Sequence, residues 1–316
     1  MIVVSTGNIA YSITKNFTEK FSDVDFRWYK NIEEAEESLY EAEAIITYGE
    51  DLTEDHIYKA ENLRWIMVVS AGMDEMPFQA IAEKHILVTN ARGIHAVPMG
   101  EYAIHMMLHT ARQMQVVQEQ EKEHKWDRSP VMTELHGKTL AVIGAGAIGA
   151  EVARLSNAFH MYTIGVNKSG RNVDPFCEIS TIENLHDVLG KADFVVSVLP
   201  KMKATNNIFS RDAFKSMNSE AVFINMGRGN VVDEQALLRA LDVQELKHAV
   251  LDVFNEEPLP PEHPFWSHKK ITVTPHLSGI SPQYQPRAME IFHHNLQVYR
   301  SGKGEYINKV DPSKGY

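Results

Sequence analysis

Short apolar runs rich in valine and isoleucine alternate along this chain with stretches of helical spacing. Ten of these runs predict strands, at residues 2–4, 44–47, 65–69, 86–88, 140–143, 163–166, 194–198, 222–225, 250–253 and 271–274. Strands that alternate with helices form parallel sheets covered by helices on both faces. Ten strands are more than a single sheet usually contains, so the pattern predicts two α/β domains that divide near residue 100.

A helix is predicted to begin close to that division. Pro98 suits a first helical turn, and residues 99–123 contain no further proline and no glycine after Gly100. We therefore predict one long helix over this stretch. Two later helix starts are indicated by Asp233 and by Ser281-Pro282.

The overall charge excludes some classes of partner. The chain of 316 residues carries 31 basic and 42 acidic residues, a formal net charge of −11. Such a chain repels both nucleic acid and an anionic membrane surface. The single cysteine, Cys177, rules out an intramolecular disulfide and a thiolate zinc cluster. Without a basic targeting segment or an apolar run of about 18 residues, the chain is expected to be cytoplasmic.

The strongest motif follows the predicted strand at 140–143. Here the chain reads Gly144-Ala-Gly146-Ala147-Ile148-Gly149, and a stretch of helical spacing comes next. The glycines permit a tight turn and close approach to a pyrophosphate, and the helix start presents free N–H groups to the anion. A plain glycine-rich turn is the alternative, but the strands on either side favour a dinucleotide site.

The end of the next strand decides which coenzyme is expected. An NAD site normally has Asp or Glu there, about 20 residues after the glycines, to bind the ribose 2′-hydroxyl. This chain has Asn167, followed by Lys168, Ser169 and Arg171. The repelling carboxylate is missing and two cations are supplied, so NADP(H) is favoured, with NAD(H) as the alternative.

Polar residues follow three other predicted strands. Arg228, Glu257 and His276 each come after an apolar run, where an open parallel sheet places its ligands. Arginine binds a carboxylate bidentately and stays charged, whereas histidine titrates near neutrality and can donate a proton. Each residue alone has an ordinary structural explanation; together they fit reduction of a 2-keto acid.

The segments around these residues resemble the signature series of the D-2-hydroxyacid dehydrogenase family. They read Asn225-Met-Gly-Arg228-Gly-Asn-Val-Val-Asp233, Asp252-Val-Phe-Asn-Glu-Glu257-Pro258 and Thr274-Pro-His276-Leu-Ser-Gly279. The resemblance extends to Ser70-Ala71-Gly72-Met-Asp74 and to residues 308–316, so it covers essentially the whole chain. Within the family, the chain is most similar to members of the glyoxylate/hydroxypyruvate reductase type.

The resemblance implies roles for individual residues. Arg228 would bind the carboxylate and keto oxygen of the substrate, Glu257 would partner the imidazole, and His276 would donate the proton. Ala71 and Gly72 would offer backbone N–H groups to the carboxylate. Further coenzyme contacts are implied, beyond the glycine turn and the loop at Asn167, for Leu199, Pro200, Thr205, Met226, Gly227, Asp252, His276 and Gly279.

The same resemblance implies the architecture. A Rossmann cofactor domain, residues 101–276, would be inserted into a flavodoxin-like substrate domain formed by residues 1–100 and 277–316. Both would be doubly wound parallel sheets. The hydrophobic pattern does not show this discontinuity. The resemblance also favours a homodimer.

The implied enzyme acts on the CH–OH group of donors and reduces glyoxylate, hydroxypyruvate or a similar 2-keto acid to the D-2-hydroxy acid with NAD(P)H. The alternatives are a non-catalytic NAD(P)-sensing regulator on the same fold and a phosphoglycerate dehydrogenase-like enzyme. Two departures from the family pattern leave coenzyme and substrate open: Asn167, and Met99-Gly100 where small apolar residues are more usual.

Three other features receive structural interpretations or stay undecided. His105 and His109 have the spacing of a helical metal pair but lack the adjacent glutamate of a zinc protease, so we interpret them as structural. His293-His294 is interpreted in the same way, and no metal site is expected. Trp266 either covers the active site or anchors a loop.

Overall fold

The computed structural model describes residues 1–70, 72–73 and 75–312. These residues form two compact units. Unit 1 holds the described residues of 1–95 and 281–316, and unit 2 holds residues 96–280. The chain therefore leaves unit 1 once and returns to it.

The strands alternate with helices as the hydrophobic pattern predicts. The strands are β1 (Ile2–Ser5), β2 (Asp25–Trp28), β3 (Ala44–Thr47), β4 (Trp65–Val68), β5 (Leu87–Asn90), β6 (Thr139–Ile143), β7 (Tyr162–Asn167), β8 (Glu178–Thr181), β9 (Phe194–Ser197), β10 (Val222–Asn225), β11 (His248–Leu251), β12 (Ile271–Val273) and β13 (Lys309–Val310). The α-helices are α1 (Tyr11–Lys20), α2 (Ile32–Leu39), α3 (Glu54–Lys59), α4 (Phe78–Glu83), α5 (Ala96–Ala111), α6 (Met114–Lys122), α7 (Ala147–Ala158), α8 (Leu185–Lys191), α9 (Arg211–Ser216), α10 (Glu234–Asp242) and α11 (Tyr284–Ser301).

Unit 1 contains a sheet of strand order β13-β5-β4-β3-β1-β2. Its pairs are parallel except for β13, which pairs antiparallel with β5. This is the flavodoxin-like order with one added edge strand. Ile45 and Ile46 of β3 enter different apolar clusters, and both are buried. Both faces of the sheet are therefore covered, which explains the unbroken apolar runs.

Unit 2 contains an all-parallel sheet of strand order β12-β11-β10-β9-β6-β7-β8. The order reverses between β6 and β9, as in the Rossmann fold. Ligands of such sheets bind outside the carboxyl ends of the strands at this reversal. The predicted fold class, two α/β domains of Rossmann and flavodoxin-like type, is confirmed.

The pattern missed β2, β8 and β13. β2 and β8 lie at sheet edges and none of their residues is fully buried, so neither strand needs an apolar run. β13 has only two residues. Exposed edge strands lack the signal on which the prediction depends.

The prediction of one long helix over 99–123 was wrong. α5 ends at Ala111 and α6 begins at Met114, because Gln113 adopts a left-handed backbone with φ of 52°. α5 contributes buried residues to the core of unit 2, whereas α6 buries none. The helical spacing of apolar residues continues through α5 and α6, so the sequence pattern does not reveal the break between them.

Of the two later predicted helix starts, the structure has one at the predicted residue and the other slightly later. At Asp233 the side chain accepts a hydrogen bond from the Ala236 N–H at 3.0 Å and caps α10, as predicted. The last helix begins at Tyr284, two residues beyond Pro282. Over the described ranges, no helix combines the length and apolar character needed to cross a membrane.

Candidate active site

The glycine turn lies between β6 and α7 in unit 2. Gly144 has a φ of +112°, a backbone that side chains disfavour, and its N–H donates to the Val166 carbonyl. A Cβ on Gly149 would stand 2.5 Å from the Gly144 carbonyl oxygen, so α7 packs directly on the turn. A Cβ on Gly146 would meet nothing within 4 Å, so this side of the turn is open.

Ala147 and Ile148 are the first two residues of α7, immediately after the cap residue Gly146. N–H groups in a first helical turn have no partner within the helix. The turn that precedes them follows the carboxyl end of β6. This arrangement is compatible with a dinucleotide pyrophosphate, as the motif predicts.

The loop after β7 is organised by Asn167. Its side-chain oxygen accepts from the Ser169 N–H at 3.1 Å, and its amide nitrogen donates to the Arg171 carbonyl at 2.9 Å. Asn167 therefore shapes the turn with its own side chain. Lys168 and Arg171 are exposed, and within the described residues neither forms an ion pair. The loop presents two cations and the Ser169 hydroxyl at the end of β7.

The loops after β9 and β10 lie against each other. A Cβ on Gly227 would stand 2.6 Å from the Leu199 carbonyl oxygen, so only glycine permits this approach. Thr205 is buried, and its hydroxyl lies 2.8 Å from the Pro200 carbonyl and accepts from the Met202 N–H. Thr205 thus organises the loop from within.

Met226 is buried in an apolar cluster of unit 2. It is the first residue after β10, and its N–H donates to the Ser197 carbonyl at 3.1 Å. Its burial gives the neighbouring backbone a rigid support.

Arg228 comes three residues after β10 and is half-buried. Its Nη1 donates to the Gly227 carbonyl at 2.9 Å, and its own carbonyl accepts from the Asn225 side chain at 3.0 Å. A Cβ on Gly229 would overlap the carbonyl of Phe254. The backbone beside Arg228 is therefore pressed against the loop that leads to Glu257.

Glu257 and His276 form a hydrogen-bonded pair. The His276 Nδ1 lies 2.7 Å from Glu257 Oε2, and Glu257 Oε1 accepts from the Phe254 N–H at 2.9 Å. Because a carboxylate only accepts, Nδ1 carries the hydrogen and Nε2 is left for chemistry. Within the part of the chain that is described, Nε2 has no hydrogen-bond partner, and the His276 side chain is 52% exposed.

Asp252 holds the loop that carries His276. Its carboxylate is fully buried and accepts from Thr274 Oγ1 at 2.5 Å and from the Leu277 and Ser278 N–H groups, each at 2.9 Å. Its carbonyl accepts from the His276 N–H at 2.8 Å. These bonds stabilise the left-handed backbone of His276, with φ of 49°. Gly279 continues the same loop.

Tyr102 was missed by the sequence analysis. It lies on α5, is buried, and its hydroxyl is 2.7 Å from Thr274 Oγ1. Since Thr274 must donate to the Asp252 carboxylate, Tyr102 must donate to Thr274. Burial raises the pKa of the Tyr102 hydroxyl above its ordinary value, so the proton stays in place. A hydroxyl chain thus runs from α5 to the His276 loop. The available signal was a tyrosine in an apolar helix.

Of the two predicted substrate-loop residues, Ala71 lies outside the described residues. Gly72 lies in unit 1 after β4, and its carbonyl accepts from the Ser70 hydroxyl at 2.7 Å. Arg228, Glu257 and His276 all belong to unit 2.

The features set aside earlier have structural contacts. The rings of His105 and His109 are 5.9 Å apart, and the described residues contain no group of three potential metal ligands. His294 Nε2 lies 3.0 Å from the Glu305 carbonyl. The Trp266 indole donates to the Pro260 carbonyl at 2.9 Å and so anchors its own loop.

Comparison with known proteins places this geometry in a family. A family model described as D-isomer specific 2-hydroxyacid dehydrogenase, NAD binding domain, matches residues 104–278. The chain belongs to this family of oxidoreductases. The predicted resemblance is confirmed.

The curated relatives include both glyoxylate/hydroxypyruvate reductases and phosphoglycerate dehydrogenases. Glyoxylate/hydroxypyruvate reductase B of Citrobacter koseri is 30% identical over 296 residues, which cover 90% of this chain and 89% of the relative. D-3-phosphoglycerate dehydrogenase of Methanocaldococcus jannaschii is 30% identical over 295 residues, covering 92% of this chain and 56% of the relative. This chain spans about half the length of the curated phosphoglycerate dehydrogenases that it matches.

A solved structure shares the fold. It is an NADPH-dependent glyoxylate/hydroxypyruvate reductase from Sinorhizobium meliloti in complex with NADP and sulfate. The two chains are 25% identical, the TM-score is 0.84, and the match covers 100% of this chain and 99% of the other.

Proposed function

We propose that this protein reduces a small 2-keto acid of the glyoxylate/hydroxypyruvate class to the D-2-hydroxy acid, with NADPH as the favoured coenzyme. The observation that carries the proposal is the 2.7 Å pair of His276 Nδ1 and Glu257, which leaves Nε2 available. This pair lies in the same unit as the glycine turn and Arg228. The reductase relatives, of similar length to this chain, support the substrate class.

Each group of site residues would have its own role in the proposed reduction. The glycine turn and the loops after β7, β9 and β10 would hold the coenzyme, which supplies a hydride to the carbonyl carbon when bound. Arg228 would hold the substrate carboxylate and offset the charge that grows on the keto oxygen. His276 Nε2 would transfer one proton to that oxygen, and Glu257 would stabilise the imidazolium before transfer. One keto acid, one hydride and one proton thus yield one hydroxy acid.

Substrate positioning is also proposed to involve the loop after β4. Gly72, together with Ala71, would donate backbone N–H groups to the substrate carboxylate. Family resemblance supports this assignment.

The coenzyme preference rests on the loop after β7. Asn167 uses both ends of its amide to shape the turn, and Lys168 and Arg171 remain exposed. A ribose 2′-phosphate would find two cations and a hydroxyl, without a repelling carboxylate at the end of β7. The NADP-bound reductase with the same fold supports this preference.

We expect the double variant Lys168→Ala/Arg171→Ala to lose kcat/KM for NADPH by about tenfold to 100-fold, since each of these two exposed cations should contribute about 1 kcal/mol to binding the 2′-phosphate. The loss for NADH should be less than about threefold. Oxidation of both coenzymes is followed at 340 nm with glyoxylate and hydroxypyruvate. Lys215→Ala/Lys303→Ala is the control, because these two exposed lysines lie on α9 and after α11, outside the loops proposed to hold the coenzyme.

Several outcomes would contradict the proposal. Equal loss with both coenzymes in the double variant would refute the NADP preference. Phosphoglycerate dehydrogenase-like relatives favour a second candidate, so 3-phosphoglycerate with oxidised coenzyme belongs in the panel. Turnover of that compound alone would replace the proposed substrate class. Coenzyme binding without turnover of any substrate would indicate a regulator.

A further prediction concerns Tyr102. Tyr102→Phe removes the donor to Thr274 and should lower kcat about fivefold, because one hydrogen bond contributes about 1 kcal/mol and supports the loop of His276. KM for the coenzyme should stay unchanged. Amide exchange at Leu277 and Ser278, which bond Asp252, should become faster.

Tyr162→Phe is the matched control, because Tyr162 also bonds through its hydroxyl, to Glu178 at 3.2 Å, but at the surface of unit 2. If both tyrosine variants behave alike, Tyr102 has no positioning role. Thr274→Ser keeps the hydroxyl and should retain most activity.

A further inference from the structure

A cleft of unit 2 lies at the edge of the sheet opposite the glycine turn. It is lined by the entry points of three parallel strands, at Val222, at Lys247-His248 and at Lys269-Lys270. The glycine turn instead follows the carboxyl end of β6. With a volume of about 380 Å³, the cleft is within the range of small-molecule sites.

The break between α5 and α6 supplies the opposite wall. His109 and Thr110 lie before the break, and Gln115 and Glu119 lie after it. Gln113, which also lines the cleft, has the left-handed φ of 52° that separates the two helices. A non-glycine residue rarely adopts this backbone without a structural or functional reason. The one long helix predicted from the sequence would not form this wall.

Most of the charged residues that line the cleft are lysines, although the chain has a net charge of −11. Lys269 is exposed and forms no ion pair with a described residue. The Lys270 Nζ donates one hydrogen bond, to the Leu241 carbonyl at 2.7 Å, and keeps two N–H groups. Lys247 is 2.9 Å from Glu220, whose side chain is 73% exposed and can move away.

The acidic group in the lining is Glu119, on the exposed rim. Three lysines therefore oppose one lining carboxylate. An anion in the cleft would find a local excess of positive charge.

Two histidines in the lining have lowered pKa values. Burial in the first place, and then His109, His268 and Lys247, lowers the pKa of His248 to about 4. The pKa of His109 is also lowered, by burial and then by His105. Both rings are neutral at pH 7 and offer an N–H donor. The His248 Nε2 lies 2.9 Å from Thr272 Oγ1, which leaves Nδ1.

We propose that this cleft binds a small metabolite that carries a phosphate group. Lysines bind phosphate as point charges, and neutral imidazole and amide groups can donate to the remaining oxygens. The volume exceeds that of one oxyanion, so a short organic part fits with it. The proposal does not depend on the reaction at His276, because its residues lie at the other edge of the sheet.

Isothermal titration calorimetry tests the proposal with inorganic phosphate, glycerol 3-phosphate and succinate as probes, at constant ionic strength. We expect glycerol 3-phosphate to bind most tightly. The double variant Lys247→Ala/Lys269→Ala should bind it at least about tenfold more weakly, because it removes two charge-assisted bonds to the phosphate. Glu119→Gln should bind it about twofold more tightly, a gain that unfolding cannot produce.

The matched control is Lys168→Ala/Arg171→Ala, which removes two cations from the coenzyme loop and should leave this affinity unchanged. Phosphate should also raise the pKa of His248 and His109 in an NMR titration, because an anion favours the charged imidazole. Three results overturn the proposal: no binding of either phosphate probe, loss of binding in the control but not in the cleft variant, or tighter binding of succinate. Melting temperatures of all variants confirm that each is folded.

Discussion

His276→Ala should lower kcat by a factor of about 10² to 10⁴, the usual contribution of a positioned general acid. The reason is local: Nε2 is the ring nitrogen without a partner in the described structure, while Nδ1 is held by Glu257 at 2.7 Å. The coenzyme should still bind, because its glycine turn is separate from this loop. Steady-state turnover of hydroxypyruvate with NADPH, together with coenzyme titration by fluorescence, measures both effects.

The control for this prediction is His268→Ala. His268 also faces a carboxylate, with its Nε2 3.3 Å from Asp242, but it lies before β12 on the opposite edge of the sheet. Its loss should change kcat by less than about twofold, because His268 lies at the edge of the sheet opposite the proposed site. Glu257→Gln should give an intermediate loss, since the ring keeps a partner but loses the charge that stabilises imidazolium. Turnover that survives His276→Ala would refute the mechanism.

Arg228→Ala should lower kcat/KM for the 2-keto acid by a factor of about 10² to 10³, comparable to the loss of one preorganised donor at a developing oxyanion. Its backbone is fixed by Asn225 and by the contact of Gly229 with Phe254, so the guanidinium starts from a rigid position. The effect should fall on substrate kinetics, and the coenzyme KM should change little. Initial rates over a grid of both concentrations separate the two.

Arg228→Lys tests the geometry of the interaction. Lysine keeps the charge but lacks the planar fork that binds a carboxylate at two points. Its kcat/KM should lie between those of the wild type and the alanine variant. Full activity in the lysine variant would show that only charge matters, and a rise confined to the coenzyme KM would move Arg228 out of the substrate site.

Much of the fold could be predicted because a strand that is buried on both faces of its sheet requires apolar residues along its whole length. β3, β4, β9 and β10 are buried along their whole length, and the valine and isoleucine runs mark each of them. The edge strands β2 and β8 are partly exposed, so their residues are not constrained in this way. The break at Gln113 escaped prediction for a related reason, because its cause is one left-handed residue in a stretch that keeps helical spacing.

The candidate site could be predicted where its polar residues come directly after the ends of strands. Asn167 was selected from the sequence as a coenzyme contact, and the structure shows that its amide shapes the turn after β7. Thr205 and Asp252 were selected as coenzyme contacts, and the structure shows each holding its own loop through buried hydrogen bonds. A side chain's type indicates what it can bond to, whereas its partners depend on distant parts of the chain.

The sequence by itself determined the parallel sheets, the glycine turn and the residue types that we propose for proton transfer and carboxylate binding. These depend on local composition and on positions next to strand ends. Only the tertiary structure decided how the site is held. Tyr102 and Thr274 are 172 residues apart, yet their hydroxyls meet at 2.7 Å and continue to Asp252 beneath His276. Hydrophobic periodicity carries no information about such a pair, because a buried hydroxyl finds its partner only when separate helices and strands pack together.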